Sequence, residues 1–333
     1  MSASNSQPGL QADLNRLMGE LDPTLKDLER LRLKALATRR KALGIALLCG
    51  GIGIAAALVV MGYVSGSPFA GILIAVISLI VALVIYHAVH GKACESYLIA
   101  FKQRAFTAAT KITAPGVEYY PDLAVKRDLF ERSGLFNSRI DRYHGEDCFS
   151  GKVGETEIHL SELHVQRKET SRDSKGRSKT RWVTVFRGIY LIADFHKYFR
   201  GWVLIEPDIA EATFGWLGRK LQGLSGDLVR LENPEFERVF KVRSKDELEA
   251  RYLLTPDMQQ RLLELRRRWP MGLSAALIDS QLHLAIPKTE NWFEPDLNQP
   301  ADRSVQLSHF VEQLMCLLDI PRQLDLNTRI WTK

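Results

Sequence analysis

Between residues 42 and 91 the chain carries no Asp, Glu, Lys or Arg. That window holds two apolar runs, 42–64 (ALGIALLCGGIGIAAALVVMGYV) and 68–89 (PFAGILIAVISLIVALVIYHAV). Each has about the 20 residues that a helix needs to cross a hydrocarbon core. Only a Ser-Gly-Ser step before Pro68 separates them, so the pattern predicts a transmembrane helical hairpin. Cys49, Gly50, Gly51, Gly53, Ala55, Ala56 and Ala57 keep the first run slim, which lets a second helix approach closely.

Ahead of the window, Leu recurs at 10, 14, 17 and 21 and again at 25, 28, 31 and 36, a helical spacing. Asp22-Pro23 reads as an N-cap followed by the first helical residue, so one helix is expected to end there and another to begin. Residues 92–113 continue the helical pattern with Tyr97, Leu98, Phe101 and Phe106.

After Pro115-Gly116 the period changes. β-branched and aromatic alternation at 147–153, 156–165, 182–195 and 202–205, with Gly-containing turns between, predicts antiparallel strands. Ser244 to Glu247 (SKDE) has the form of a capping box, and Thr255-Pro256 that of an N-cap with Pro at N1. The second of these helices carries a stripe of Met258, Leu262, Leu265 and Trp269, with Arg266, Arg267 and Arg268 in its last turn. A hairpin at Asp279-Ser280 and an amphipathic helix over 304–318 close the chain.

These elements give an α+β chain: N-terminal helices with a two-helix transmembrane hairpin, then a soluble domain of mainly antiparallel sheet with packed helices. The expected parts are a tail and short helix at 1–21, a basic juxtamembrane helix at 22–41, the hairpin at 42–91, a helical connector at 92–114 and an α+β domain at 115–333. No period of repeat architecture recurs.

Charge then sets orientation. Arg30, Arg32, Lys34, Arg39, Arg40 and Lys41 precede the first run, Lys92, Lys102 and Arg104 follow the second, and the connecting turn has none. By the positive-inside rule both termini of this multi-pass chain are expected to be cytoplasmic, with the connecting turn on the far side. The four Cys, at 49, 94, 148 and 316, are too dispersed for a zinc knuckle or a disulfide framework. His87 and His90 at the exit of the second run have no acidic partner inside either run, so a proton relay is not indicated.

The densest chemistry lies between Arg139 and Glu169. In an extended chain Glu162 and His164 share one face while His159 takes the other. His144, Glu162 and His164 are the candidate metal ligands, short of the four that structural zinc needs. His144, Asp147 and His164 are the candidate acid-base groups, and Cys148 lacks an evident activating base. Nucleotide-binding, zincin and nucleophile-elbow motifs are all missing, and no cofactor is implied.

The second candidate is QRKETSRDSKGRSKTR, residues 166–181. Arg167, Lys168, Arg172, Lys175, Arg177, Lys179 and Arg181 face only two acids, in a composition that cannot build a core. It predicts a long hairpin tip able to bind an anionic surface, with lipid headgroups the natural class. Trp182 is its one neighbouring aromatic, so no stacking platform for nucleic acid is present in the sequence.

The stretches DRYHGEDCFSGKVGETEIHLSELHVQ, LENPEFERVFKV and ARYLLTP resemble the bacterial membrane proteins grouped as domain of unknown function 3137. The resemblance runs over residues 25–331. It implies a two-span protein with a cytoplasmic domain, carries over no catalytic residue, and implies a membrane-protein partner of the LemA type. It also groups Glu146, Asp147 and Gly151 as one turn-forming unit, since Asp accepts backbone hydrogen bonds and Gly admits positive φ.

The sequence thus favours a non-enzymatic, membrane-anchored module that binds a protein or anionic lipid through the 166–181 tip. Its leucine stripes allow self-association. The rival is a membrane-tethered hydrolase using the His144–His164 region.

Overall fold

The computed structural model describes residues 8–63, 68–172, 178–208, 226–269 and 271–326. The chain divides into two units, one of Met1–Ala109 with Glu294–His309 and one of Thr110–Phe293 with Phe310–Lys333.

The first unit is helical. Helix α1 spans Pro8–Tyr63 and α2 spans Pro68–Phe101, and both are long and apolar enough to cross a membrane. Only 11% of each apolar window is buried. Side chains such as Leu47, Leu58, Ile72 and Leu79 face outward, which a helix in a water-soluble core would not allow.

The helix axes approach through small residues. A Cβ on Gly53 would lie 2.1 Å from Ser78 Cβ, and one on Gly71 would lie 2.9 Å from Ala57 O. Ala57 and Ala82 are buried alongside. Gly53→Leu should therefore force the pair apart at a cost of about 1–3 kcal/mol. Gly51→Leu, where a Cβ meets nothing within 4 Å, should not. Denaturation in mixed micelles with rising SDS checks this, and equal transition points for the two variants would refute the close crossing.

One expectation fails here. Helix α1 runs straight through Pro23, and Asp22 forms an ion pair with Lys26 at 2.7 Å instead of capping a new helix. An interior Pro costs about 3 kcal/mol. The unbroken stripe of buried Leu17, Leu21, Leu25 and Leu28, at roughly 2 kcal/mol per side chain, outweighs it.

The strap from Glu294 to His309 is stitched to these helices. Arg32, 7% exposed, holds Glu29 through Nε and Nη2 at 2.8 and 2.7 Å and donates from Nη1 to Leu297 O at 3.0 Å. Glu29 in turn accepts the Ala301 N–H at 2.7 Å, and Lys102, where α2 passes into a π-helical turn, pairs with Glu294 at 3.0 Å. After that turn comes α3, Thr107–Thr113.

The second unit is built on one nine-stranded antiparallel sheet. Its strands are β1 Val117–Tyr120, β2 Arg142–Val153, β3 Thr156–Arg172, β4 Ser178–Asp194, β5 Trp202–Pro207, β6 Asp227–Val229, β7 Phe240–Ser244, β8 Ser274–Ile278 and β9 Gln281–Pro287. They lie in the order β1-β2-β3-β4-β9-β8-β5-β7-β6. Helices α4 Arg127–Arg132, α5 Pro234–Val239, α6 Glu247–Leu253, α7 Pro256–Arg268 and α9 Ile320–Gln323 belong to this unit, and α8, Ser304–Leu318, enters it. The chain is α+β.

Alternation along the strands gives the sheet two apolar faces. On one, Leu163, Val165, Phe186, Tyr190 and Ala285 pack with Phe130, Leu135 and Phe136. On the other, the Phe149, Phe293 and Phe310 rings gather with centroids 4.9–6.2 Å apart. The stripe of α7 is buried as its spacing requires, and Thr255 accepts the Met258 N–H at its start.

Helix α6 begins later than expected. Asp246 is its cap, accepting the N–H groups of Leu248 and Glu249, while the Ser244 oxygen accepts the Asp246 N–H at 3.1 Å and its hydroxyl donates to Trp202 O at 2.9 Å. The SKDE capping box is therefore not formed as read.

Candidate functional site

The polar run from His144 to His164 lies on paired strands. In the β2–β3 register His144 faces His164 and Glu146 faces Glu162, which sets all four side chains on one face of the sheet. His159 lies on the opposite face, where Nδ1 meets Ser150 Oγ at 2.9 Å. Alternation separates it from His164 as the sequence implies.

The two carboxylates of that face hold the segment after β9. Glu162 accepts the Trp292 N–H at 2.9 Å. Asn291 donates to Glu146 at 3.4 Å and accepts from Arg187 at 2.9 Å. Lys288 lies above the Trp269 and Trp292 rings, 4.8 and 4.2 Å from their centroids. Burial, aided by Arg187 and His144, holds His164 below the usual imidazole range, and its Nε2 lies 3.4 Å from Thr184 Oγ1. Among the described residues no group of three or more His, Cys, Asp and Glu is placed to hold a metal ion.

Asp147 and Gly151 occupy a different setting from the one read in the sequence. They lie inside β2, at and beyond a bulge between Glu146 and Phe149, and not in a turn between strands. Asp147 takes φ +56 and is 1% exposed. Its N–H donates to Pro121 O at 2.9 Å and its carboxylate accepts the Tyr119 hydroxyl. Gly151, at φ +151, lets β1 come so close that a Cβ would lie 2.1 Å from Gly116 O. The residues are thus bulge chemistry that seats the edge strand. The turn itself falls at Gly154, φ +63. Burial pushes the Cys148 thiol up to about 11, so it carries almost no thiolate at neutral pH.

The basic run is ordered into strands over most of its length. Strands β3 and β4 stay paired to Arg172 and Ser178, whereas β2 leaves the ladder at Arg142 opposite Gln166 and β9 pairs with β4 only from Gly188. The pairs from Arg167–Val183 to Arg172–Ser178 therefore form a two-stranded arm beyond the sheet, about 20 Å long at ~3.3 Å per residue. Lys175 and Arg177 lie outside the described residues.

Within the arm, Glu169 engages both Arg167 and Arg181, the latter at 2.6 Å. No acidic partner is found for Arg172 or Lys179 among the described residues, and Lys168 has only the Asp141 carboxylate at the root of the arm near it. The Arg142 guanidinium stacks 3.5 Å from the centre of the Trp182 ring, and Trp182 remains 38% exposed. Sequence reading missed Arg142, which is distant in the chain and comes to Trp182 only through the strand register. At the root of the arm Asp141 accepts the Lys168 N–H at 2.8 Å and pairs with Arg139. That N–H and the Arg139 charge hold its carboxyl below the ordinary range.

Residues 184–326 match the model of a family described as protein of unknown function (DUF3137). The match contains the ENPEFERVFKV and ARYLLTP elements, while the two long apolar helices and the Gly145–Gly151 element precede it. Neither the curated proteins nor the solved structures compared with the chain include a match.

Proposed function

We propose that this chain is a membrane-anchored binding module whose β3–β4 arm engages an anionic partner. The observation that carries the reading is the arm itself: a ribbon free of flanking strands, in which five described cations, Arg167, Lys168, Arg172, Lys179 and Arg181, share one acid of their own, Glu169. A structural hairpin has no need of so much like charge, which disfavours its own folding. The two apolar helices supply the anchor. Lys and Arg on the outer flanks of the apolar window, and none in the turn, support both termini in the cytoplasm of a bacterial cell, with the second unit on that side of the inner membrane.

The hydrolase alternative draws on the face shared by His144, Glu146, Glu162 and His164. We do not favour it, because Glu146 and Glu162 are already engaged in holding the Asn291–Trp292 segment.

Full-length protein isolated from native membranes, with mass spectrometry of co-purifying proteins and lipids, tests the reading. Changing Arg167, Lys168, Arg172, Lys179 and Arg181 together to Gln, which removes the described cations of both faces of the arm, should lower recovery of the bound partner at least tenfold, at about 1 kcal/mol per basic residue. Unchanged recovery would show that the arm is not the binding surface.

A further inference from the structure

The arm has two unlike faces, and alternation assigns every described side chain to one of them. Cross-strand pairs set Gln166 with Thr184, Lys168 with Trp182, Thr170 with Thr180 and Arg172 with Ser178 on the first face, to which Arg142, opposite Gln166, adds its guanidinium. The second face pairs Arg167 with Val183, Glu169 with Arg181 and Ser171 with Lys179. Glu169 thus binds two of the three cations of the second face. The first face has three cations, Arg142, Lys168 and Arg172, and no acid among its described residues.

We infer that this first face, Arg142, Lys168, Arg172 and Trp182, is a docking surface for the phosphate headgroups of anionic lipids. The inference rests on the binding role proposed for the arm and names its ligand and its face. Three features select a lipid surface. The cations are spread along one side of an extended ribbon and are flanked by small polar side chains, which suits a planar array of phosphates better than a single phosphate needing a pocket. An indole among them has the preference for the membrane interface that Trp shows generally. The chain's own apolar helices keep the arm at high effective concentration near a bilayer.

The Arg142 contact also speaks against nucleic acid. Base stacking needs a free ring face, and the guanidinium 3.5 Å from the ring centre already covers one side of Trp182. A protein-docking surface would be expected to centre on a larger apolar patch, whereas Thr170, Thr180 and Ser178 surround this single aromatic.

The test uses full-length protein in proteoliposomes containing brominated phospholipid, with and without phosphatidylglycerol. The quenching lost in a Trp182→Phe counterpart isolates the Trp182 signal. Two triple variants remove equal charge: Arg142→Gln/Lys168→Gln/Arg172→Gln on the first face and Arg167→Gln/Lys179→Gln/Arg181→Gln on the second. The expected result is phosphatidylglycerol-dependent quenching in the unmodified protein. The first variant should lower the docked-to-free ratio roughly a hundredfold, and the second should keep most of the signal. Equal loss in both, or loss in the second alone, overturns the face assignment while leaving arm–lipid binding intact. No lipid-dependent quenching, together with a protein recovered on the arm from native membranes, overturns the lipid inference but not the binding role. Neither quenching nor any recovered partner overturns both.

Discussion

Full-length protein carrying Gly188→Ala is expected to lose about 3–5 kcal/mol of stability in its sheet unit. Gly188 stands where three strands meet, paired with Leu163 of β3 and Pro287 of β9. Its φ is +146, and a Cβ there would lie 2.2 Å from Ile286 O and 2.7 Å from Lys288 N. Those are backbone atoms, and Lys288 N already donates to Arg187 O at 2.9 Å, so relief requires β9 to move off β4. Strain of about 1–3 kcal/mol from the dihedral adds to a similar amount from overpacking. For a unit of this size the sum lowers the melting midpoint by roughly 10 °C. Gly272→Ala separates the two causes, because Gly272 has φ +105 but an added Cβ meets nothing within 4 Å. It should lose only the dihedral part. Near-ultraviolet circular dichroism on heating in detergent micelles reads both, and equal midpoints for the two variants would rule out the proposed clash.

The second large effect is a loss of stability in mild acid, carried by His283. This residue lies 1% exposed in β9 with Nδ1 3.0 Å from the Tyr190 hydroxyl. Burial is the main cause that lowers it from 6.5 to about 4, with Asp279 pulling it up and Arg132 pushing it down. Burial also raises Tyr190, so the pair is held uncharged. As pH falls through 6.5 the unfolded chain takes the proton first, while the folded chain takes it only near 4. The stabilisation is thus complete above about 6.5 and is lost on the way down to about 4. At about 1.4 kcal/mol per pH unit the loss is roughly 3 kcal/mol. His164 is lowered for the same main reason and adds to the decline in the same direction. His283→Gln, which keeps a hydrogen-bonding group for Tyr190, should flatten the dependence of the melting midpoint on pH between 7 and 4, leaving the His164 share. A variant as acid-sensitive as the unmodified protein would mean that His283 titrates normally.

How far these features could be read from the sequence depended on whether the deciding contact was local. Helix α8 falls on 304–318 as read, because Leu307, Phe310, Val311, Leu314 and Leu317 leave one phase for its stripe. The turn at Asp279-Ser280 was legible because two short polar residues tolerate the positive φ of 52 and 57 found there. The cap of α6 was not, since Ser244 and Asp246 are both able to cap, and in the fold Ser244 ends β7 and accepts the Asp246 N–H while Asp246 accepts from the helix. Strand β1 escaped notice because its four residues gain their meaning from the bulge at Asp147 that receives them. In the site, the separation of His159 from His164 followed from alternation alone. The neutralisation of Arg167 and Arg181 by Glu169 did not, because it needs the β3–β4 register, and neither did the stacking of Arg142 on Trp182.

The strap that closes on α1 has a consequence for biosynthesis. Arg32 and Leu297 are 265 residues apart in the chain, and Glu29 and Ala301 are 272 apart. At roughly 5–20 residues per second a ribosome needs some 15–50 s to make the intervening chain. Throughout that interval the Glu29–Arg32 pair and the buried side of α1 exist without their cover, while the apolar hairpin has already left the ribosome. Synthesis of the apolar helices and completion of the helical unit are therefore separate events in the life of each chain. A nascent protein stalled before residue 294 would leave open the Glu29–Arg32 pair that the finished molecule covers.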